Sequence, residues 1–360
     1  MKVGIIGLPL SGKSTVFNSL TGGNAAVRSW QSKSEEANIG TIKVPDERLQ
    51  RLSEIYTPRK TTPAEVVFVD MPGLESDPTS ARGLDSLFVQ QVQDVNAFAL
   101  ILRAFADANV PHPFGRIDPL EDFKSAIMDL ILSDMSVIER RRERLARDIQ
   151  RGKEEARREM SVIERCASLL EDEQLLYQQE FSNEERRWLR GYQFMTMKPL
   201  LAVINVDENP DDTSLASLKD YLIGRKLQFI QLSASIEMEI AQLPPEEQAE
   251  FLEELGITLS ARDRFIRAAY DLLNLSSFFT VGPDEVRAWT IEKNEPAVEA
   301  AGAIHSDISR GFIRAEVISY DDFIRVDGDM NLAKAQGLLR LEGKTYPVQD
   351  GDIINFRFNV

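Results

Sequence analysis

The sequence predicts an α/β protein, in which a parallel sheet is interrupted by a long helical hairpin and followed by a small module of short strands. Short β-branched and aromatic runs alternate with helical segments before residue 123 and after residue 198, a pattern typical of buried parallel strands. Between them, residues 123–188 contain a single glycine, Gly152, and are rich in Glu, Arg, Leu and Ile. Residues 278–360 carry short strands separated by glycines, which indicates a separate α+β module.

The first apolar run, Val3–Ile6, leads into a loop at residues 7–15 that reads Gly-Leu-Pro-Leu-Ser-Gly-Lys-Ser-Thr, after which a helix begins. Strand, glycine loop and helix in this order are the context in which the pattern binds phosphate. Loop N–H groups and the helix N-terminus face phosphate oxygens, the lysine reaches the β- and γ-phosphates, and the serine binds Mg²⁺. The predicted nucleotide-binding residues are Leu8, Pro9, Leu10, Ser11, Gly12, Lys13, Ser14 and Thr15, with Lys13 also catalytic and Ser14 also a metal ligand.

Two further segments fit the metal and γ-phosphate contacts of a nucleotide-dependent switch. Residues 22–37 are polar without periodicity and predict a mobile first-switch loop. Ser34 is its candidate Mg²⁺ ligand, and an ordinary solvated serine is an equally good interpretation. The buried run Val66–Val69 ends in Asp70-Met71-Pro72-Gly73. Asp70 can hold the Mg²⁺ shell through water, and the N–H of Gly73, a catalytic candidate, can bind the γ-phosphate.

The group that positions the attacking water is not evident from these motifs. Leu74 directly follows Gly73, whereas enzymes that orient water from this position carry glutamine. The next apolar strand, Ala97–Leu102, leads into a Pro/Gly-rich loop that contains His112, one of only two histidines. From spacing alone, an ordinary exposed histidine is the favoured interpretation of His112, and a catalytic histidine is the alternative.

The base-binding end of the site is predicted after the strand Leu200–Ile204. Guanine-specific switch proteins carry Asn-Lys-x-Asp there, but this chain has Asn205-Val206-Asp207-Glu208. Val206 lacks the lysine stem that covers the base, and Glu208 is one methylene longer than Asp, so strict guanine selection by a bidentate carboxylate is not expected. A Ser-Ala-Ser loop follows the last strand of the sheet. The predicted base-side residues are Asn205, Val206, Glu208, Ser233, Ala234 and Ser235.

The helical segment carries a narrow apolar stripe and a basic tip. Its second helix places small and apolar residues at spacings of four and three, as in a coiled coil: Ala156, Met160, Ile163, Ala167 and Leu170. Residues 140–158 hold nine Arg/Lys against four acids. Two interpretations stay open: a solvated helix face with ion pairs, or a basic prong that contacts the phosphate backbone of RNA.

Composition bounds the remaining function classes. The chain has 360 residues and a formal net charge of −16, which argues against nonspecific coating of nucleic acid but leaves room for a local basic patch. One cysteine excludes an intramolecular disulfide, and two histidines argue against a His-rich metal site. No apolar run reaches membrane-spanning length, and the first residues lead directly into a strand. We therefore expect a cytoplasmic protein without a membrane span or signal peptide.

These motifs together resemble the YchF/Ola-type P-loop nucleotidases, in the Obg-related branch of translation-associated GTPases. The resemblance covers essentially the full length. It rests on the phosphate loop (Gly7–Pro9 with Gly12–Thr15) and on the segment Asn205–Glu208. It also rests on four C-terminal segments: Phe278–Trp289, Ala301–Asp307, Arg310–Val317 and Val348–Asp352. The predicted domains are a nucleotide-binding domain (1–122 and 199–276), a helical coiled-coil insertion (123–198) and a C-terminal module (277–360).

The resemblance implies a Ras-like P-loop domain, an inserted antiparallel coiled coil and a β-grasp module of the TGS type. It further implies hydrolysis of ATP in preference to GTP with Mg²⁺, and association with ribosomes or RNA through the coiled coil and the C-terminal module. The family pattern also has a histidine in the loop that matches His112, where it is a catalytic candidate. By this analogy the catalytic and ordinary interpretations of His112 become equally favoured.

The sequence departs from the family at three places. Leu10-Ser11 replace Asn-Val in the phosphate loop, and because that Asn helps to coordinate potassium in related enzymes, the change argues against a potassium cofactor. Ser34–Asn38 replace the usual Thr-Ile-Glu-Pro-Asn, and the second switch after Gly73 is altered. The main hypothesis is a slow Mg²⁺-dependent ATPase that binds ribosomes or RNA. The alternative is a nucleotide-gated binding scaffold with vestigial hydrolysis.

Overall fold

The computed structural model describes residues 1–22, 38–74, 84, 86–208, 210, 212–244, 247–248, 252 and 260–359. By its internal contacts the chain divides into two units. The first comprises Met1–Gly40 and Val67–Ala268, and the second comprises Thr41–Val66 and Ala269–Val360. The strands up to residue 232 are β1 (Lys2–Ile6), β2 (Asn38–Lys43), β3 (Lys60–Thr62), β4 (Glu65–Asp70), β5 (Ala97–Ala104), β6 (Leu200–Val206) and β7 (Gln228–Leu232).

The first sheet has the strand order β2-β4-β1-β5-β6-β7, and the pairs β4–β1, β1–β5, β5–β6 and β6–β7 are parallel. Its central strands are almost wholly buried, as their continuous apolar sequences predict. The sequence prediction of a parallel α/β sheet is therefore confirmed. The carboxyl ends of β1, β4, β5 and β6 lie at the same edge of this sheet, which brings the predicted site segments together.

Helices connect these strands, as a parallel sheet requires. They are α1 (Lys13–Thr21), α2 (Glu47–Tyr56), α3 (Ser86–Val92), α4 (Pro119–Gln150), α5 (Glu154–Glu171), α6 (Asn183–Arg190), α7 (Asp212–Gly224), α8 (Ala234–Gln242) and α9 (Ala261–Leu272). Two short 3₁₀ turns lie at Leu176–Gln178 and Met195–Met197. Helix α4 begins before the predicted start at 123, because the Asp118 side chain caps the Glu121 N–H and Pro119 occupies the first turn.

Helices α4 and α5 form the predicted antiparallel hairpin, joined by a turn at residues 151–153. Its apolar stripe is buried in the core of the first unit: Ala156, Ile163 and Ala167 are at most 6% exposed. Across the hairpin, the Arg141 guanidinium donates two hydrogen bonds to the Glu159 carboxylate, at 2.9 and 2.8 Å. This bidentate pair makes Arg141 a contact within the hairpin, so it is not part of a freely solvated basic face.

The second unit contains a second sheet, ordered β11-β10-β12-β8-β9-β3. Its other elements are β8 (Leu275–Thr280), β9 (Glu285–Glu292), α10 (Ala297–Ile304), α11 (Ser306–Arg310), β10 (Phe312–Ser319), α12 (Tyr320–Arg325), α13 (Met330–Ala335), β11 (Arg340–Glu342) and β12 (Asp352–Phe358). Strands β8 and β12 pair in parallel and are flanked by the antiparallel partners β9 and β10. This arrangement is the predicted β-grasp module.

Two features differ from the sequence prediction. Residues 41–66, which the predicted boundaries assign to the nucleotide-binding domain, belong by their contacts to the second unit, where β3 pairs in parallel with β9. The short strands predicted after residue 278 include one at Thr345–Val348, but this segment forms only an isolated bridge between Pro347 and Pro296. Proline lacks the N–H that a ladder requires, so a strand prediction across Pro347 was wrong.

Within the described part of the chain, no helix combines the length and apolar character needed to cross a membrane.

Candidate nucleotide site

The phosphate loop lies between β1 and α1, and two of its glycines are required by close approaches. A Cβ atom at Gly7 would come within 2.5 Å of the Ile101 carbonyl oxygen, and the φ angle of Gly7 is +149°. Gly12 has a φ angle of +90°, and a Cβ there would overlap the side-chain amide nitrogen of Asn205. Any side chain at either position is therefore strained or displaced, which explains both glycines of the motif.

Lys13 is the first residue of α1 and is buried, at 8% exposed. Its ammonium group donates a 2.8 Å hydrogen bond to the Leu8 carbonyl oxygen. The prediction of a loop as far as residue 15 is therefore wrong at its end, because the helix begins at Lys13 and the lysine is buried. The side chain runs back along the loop, and its charge lies at the N-terminus of α1, where loop amides and the helix dipole also attract anions.

The two predicted metal-side groups meet at the edge of the sheet. The Ser14 hydroxyl donates a 2.9 Å hydrogen bond to Asp70 Oδ2, and the side-chain amide of Asn38 donates to the same oxygen at 3.3 Å. Asp70 is 1% exposed, and its other oxygen, Oδ1, is buried without a hydrogen-bond partner among the described residues. A buried carboxylate oxygen without a partner is costly, so a bound cation would satisfy it. Ser34, the other predicted ligand, lies outside the described residues.

Gly73 lies directly beside the phosphate loop. A Cβ atom at Gly73 would come within 3.2 Å of Pro9 Cγ, and the next residue, Leu74, donates its N–H to the Gly7 carbonyl at 2.9 Å. The Leu74 side chain is 2% exposed and packs in the core of the first unit. It is therefore a core residue, in agreement with the prediction that it cannot orient water.

Asn205 connects the phosphate loop to the predicted base loop. Its side-chain amide donates a 3.1 Å hydrogen bond to the Ser11 carbonyl, and its carbonyl oxygen accepts one from the Ala234 N–H at 3.0 Å. The side chain is 3% exposed. Ser233 and Ser235 share a 2.9 Å hydrogen bond between their hydroxyl groups on the same loop. Asn205 thus fixes two backbone segments against each other.

Of the three residues after Asn205, the first is in the core and the next two are exposed. Val206 is buried in the core at the end of β6, which accounts for an apolar residue in place of a lysine stem. Glu208 is exposed, and Asp207 accepts a 3.2 Å hydrogen bond from the Ala106 N–H. Phe105, which the sequence analysis missed, lies 3.8 Å from a Cβ atom placed on Gly12. Its position one residue beyond β5 could have predicted this, because β5 ends at the edge of the sheet where the site lies.

The side chain of His112 is buried in the structure. Its Nε2 atom lies 2.9 Å from Asp122 Oδ2, and its Nδ1 atom accepts a 3.2 Å hydrogen bond from the Phe114 N–H. The two side chains are only 4% and 3% exposed, so the expectation of an exposed histidine is wrong. Burial raises the pKa of the Asp122 carboxyl group, and the hydrogen bond from His112 opposes that rise.

Comparisons with known proteins agree with this geometry. One family model, described as a 50S ribosome-binding GTPase, matches residues 2–164. A second family model matches residues 275–359; it is named for the C-terminal region of YchF GTPases and described as a protein of unknown function. The ribosome-binding ATPase YchF of Bacillus subtilis is 40% identical over 365 residues, covering 100% of both chains. That of Haemophilus influenzae is 40% identical over 361 residues, covering 100% of this chain and 99% of the relative.

The chain belongs to the YchF family. The solved YchF GTPase of Schizosaccharomyces pombe has a TM-score of 0.85 and 30% identity, covering 99% of this chain and 97% of that chain. The resemblance read from the sequence is thus confirmed, together with its Ras-like P-loop domain and β-grasp module. The protein is a P-loop nucleoside-triphosphate hydrolase. The names of its relatives differ in the nucleotide, with ATPase for the two bacterial proteins and GTPase for the yeast structure.

Proposed function

We propose that the protein is a YchF-type ATPase that hydrolyses ATP to ADP and phosphate with Mg²⁺ and associates with ribosomes or RNA. The observation that carries the proposal is the convergence of the glycine loop, Lys13 and the Ser14–Asp70 pair at one sheet edge. The bacterial relatives named as ribosome-binding ATPases support both halves of the proposal. A ribosomal partner also implies a cytoplasmic site of action.

In this proposal each group at the loop has a defined task. The backbone N–H groups between Leu8 and Thr15 (Pro9 has none) and the Lys13 ammonium bind the β- and γ-phosphates, and the Gly73 N–H binds the γ-phosphate. Ser14 and Asp70 would hold Mg²⁺, which neutralises charge on the phosphate oxygens when it is bound. The buried, unpartnered Asp70 Oδ1 fits this cation. Potassium is not proposed as a cofactor, because Leu10 offers no side-chain oxygen.

The loop assignment is tested by Lys13→Met, a change that keeps most of the buried volume and removes the charge. Because a hydrogen bond to a charged group contributes about 1.5–3 kcal/mol, affinity for ATP should fall roughly ten- to a hundredfold. Hydrolysis should fall at least as far, while far-ultraviolet circular dichroism and thermal unfolding stay close to wild type. A folded Lys13→Met protein with undiminished ATP affinity and turnover would remove the assignment.

We further propose that ATP binds more tightly than GTP. Guanine recognition needs a carboxylate at the depth of an Asp, and the exposed Glu208 places it one methylene farther out. A misplaced contact of this kind costs on the order of 1–3 kcal/mol, or five- to a hundredfold in affinity. Calorimetry of wild type with both nucleotides and Mg²⁺ is the direct test. Glu208→Asp should recover part of the GTP affinity, and tighter binding of GTP by wild type would refute the preference.

The proposed ribosome or RNA contact uses the exposed arginines near the hairpin tip, assisted by the C-terminal module. Reversing Arg140 and Arg144 to Glu should weaken co-sedimentation with ribosomes and flatten its salt dependence. Arg141 is left unchanged, because it pairs with Glu159 inside the hairpin. The matched control reverses two exposed arginines of α6, Arg187 and Arg190, and so changes the net charge equally. Equal co-sedimentation of both variants would favour a merely solvated hairpin face.

A nucleotide-gated scaffold with weak hydrolysis is the second candidate function, because both ring nitrogens of His112 are occupied and Leu74 is buried. Single-turnover hydrolysis with pure protein separates the two functions. If His112 positions the attacking water, His112→Ala should lower the rate at least tenfold with little change in ATP affinity. A wild-type rate no faster than that of Lys13→Met would favour the scaffold.

A further inference from the structure

The segment between β5 and α4 is held by side chains from both of its ends. Arg103, near the end of β5, is 2% exposed and donates hydrogen bonds to the carbonyl groups of Phe105, Val110 and Pro111, at 3.2, 2.8 and 3.4 Å. These contacts fix the backbone up to the residue before His112. A tight turn then follows, closed by a 2.9 Å hydrogen bond from the Gly115 N–H to the His112 carbonyl.

The His112 ring has no nitrogen left for a water molecule. Because Nδ1 accepts the Phe114 N–H, it carries no proton, so the ring proton is on Nε2 and is donated to Asp122. A ring with both nitrogens occupied and a 4% exposed side chain cannot orient a nucleophile in this arrangement. One of the two contacts must open before His112 can act.

We propose that Asp122 is a positioning residue that holds His112 in this occupied arrangement, so that hydrolysis requires the His112–Asp122 hydrogen bond to open. The inference rests on the proposed role of His112 in orienting water. Asp122 therefore sets the fraction of molecules that are competent for catalysis. The substitution of Asp122 should raise the basal rate of hydrolysis, not lower it.

The position of Asp122 suits this role. It lies in the first turn of α4, and its side chain is 3% exposed, while its second oxygen, Oδ1, is buried without a hydrogen-bond partner in the described part of the chain. Hydrogen bonds therefore offset only part of the cost of burying the Asp122 carboxylate. Its contact with His112 can for this reason be exchanged for another contact. Because Arg103 fixes the backbone up to Pro111, the change is confined to the segment from His112 to the start of α4.

The test compares Asp122→Ala and Asp122→Asn with wild type under single-turnover conditions with ATP and Mg²⁺. A charge-assisted hydrogen bond corresponds to roughly ten- to a hundredfold in an equilibrium constant. We therefore expect Asp122→Ala to hydrolyse ATP about tenfold faster, with Asp122→Asn intermediate and ATP affinity unchanged. Asp118→Ala is the matched control, because it removes the N-terminal cap of the same helix without touching His112.

The increase must also depend on His112. In the double variant Asp122→Ala/His112→Ala, hydrolysis should be as slow as in His112→Ala alone. If Asp122→Ala raised the rate of hydrolysis equally with and without His112, Asp122 would be acting through another group, and this would overturn the inference. A rate in Asp122→Ala that is lower than wild type in a folded protein would overturn it too, because Asp122 would then be assisting His112.

A spectroscopic measurement tests the contact independently of turnover. The chain has two histidines, and His305 is exposed, so His305→Gln leaves His112 as the sole source of the histidine ¹⁵N signals. The Nε2–H tautomer with a slowly exchanging proton is expected in wild type and in Asp118→Ala, and rapid exchange is expected in Asp122→Ala and in Asp122→Asn. Rapid exchange in the wild-type background would overturn the inference.

Failure of the inference and failure of the proposed function give different results. If His112→Ala hydrolyses ATP at the wild-type rate, the proposed role of His112 is wrong, whatever the spectra show. If His112→Ala is slow but Asp122→Ala is no faster than wild type, the role of His112 stands and the inference about Asp122 is wrong.

Discussion

Asn205→Ala should loosen the nucleotide site without changing which base it prefers. The wild-type side chain makes two hydrogen bonds, one to the Ser11 carbonyl and one from the Ala234 N–H, and both end on backbone groups. It is 3% exposed, so its removal leaves two backbone groups without these partners in the interior. Each such group costs about 1–3 kcal/mol, so the free energy of unfolding should fall by roughly 2–6 kcal/mol.

The same geometry predicts the effect on nucleotides. Because Asn205 holds the backbone of the phosphate loop, its loss should weaken ATP and GTP binding by the same factor. The ratio of their two dissociation constants should stay within about a factor of two of wild type, which is 0.4 kcal/mol. Urea unfolding measures the first effect, and calorimetry with Mg²⁺ measures the second. The control is Ser233→Ala, because the half-buried Ser233 bonds through its hydroxyl to that of Ser235, and its loss should change stability by less than about 0.5 kcal/mol.

Two results would refute this reasoning about Asn205. One is a variant of unchanged stability, which would mean that the two hydrogen bonds contribute nothing. The other is a tenfold change in the ATP-to-GTP ratio, which would make Asn205 a reader of the base. A third variant sharpens the test. The methyl group of Gly12→Ala would overlap the Asn205 amide, so adding Asn205→Ala should restore part of the stability that Gly12→Ala loses. Strict additivity of the two changes would contradict the contact.

Three further predictions follow from single features. Leu10 has a φ angle of +62°, which asparagine adopts more readily than leucine, so Leu10→Asn should stabilise the protein by roughly 0.5–1 kcal/mol. The side-chain oxygen of the new asparagine should also make turnover rise with potassium, whereas wild-type turnover should not depend on potassium. Burial raises the pKa of Asp134 to about 6, so its contribution to stability is complete below about pH 4 and is lost as the pH rises through 6. Urea unfolding should show the stability advantage of wild type over Asp134→Asn shrinking between pH 4 and pH 7. Arg141→Ala leaves Glu159 without its bidentate partner and should lower the unfolding free energy by roughly 1–3 kcal/mol, whereas Arg144→Ala should change it by less than about 0.5 kcal/mol.

The phosphate end of the site could be predicted because its signals are local. The loop from Gly7 to Thr15 is one continuous motif between a strand and a helix, and its conformation follows from two glycines. Asp70 was predicted beside Ser14, 56 residues away, because parallel strands end at the same sheet edge. The long helices were also predictable, since glycine is nearly absent and the apolar period is clear between residues 123 and 188.

The contacts that the sequence did not reveal are pairings between residues with no shared motif. Asn38 with Asp70, and His112 with Asp122, are polar pairs whose partners have many equivalent candidates in a chain with 58 acidic residues. Strand β3 was missed because its three residues, Lys-Thr-Thr, show neither alternation nor an apolar run. Its partner β9 lies more than 220 residues away, so only the tertiary fold decides that pairing.

The contacts at the loop connect the proposed Mg²⁺ site to the start of β2, next to the predicted first switch. Lys13 already donates to Leu8, and Ser14 already donates to Asp70, so phosphate and Mg²⁺ would exchange these contacts for new ones. If Ser14 turned to a bound Mg²⁺, Asp70 Oδ2 would still have Asn38 as a donor. Asn38 begins β2 and directly follows the segment that the sequence predicts as the first switch. The carboxylate that would bind Mg²⁺ is thus also bonded to the first residue after that segment, so the metal site and the start of β2 share one side-chain contact.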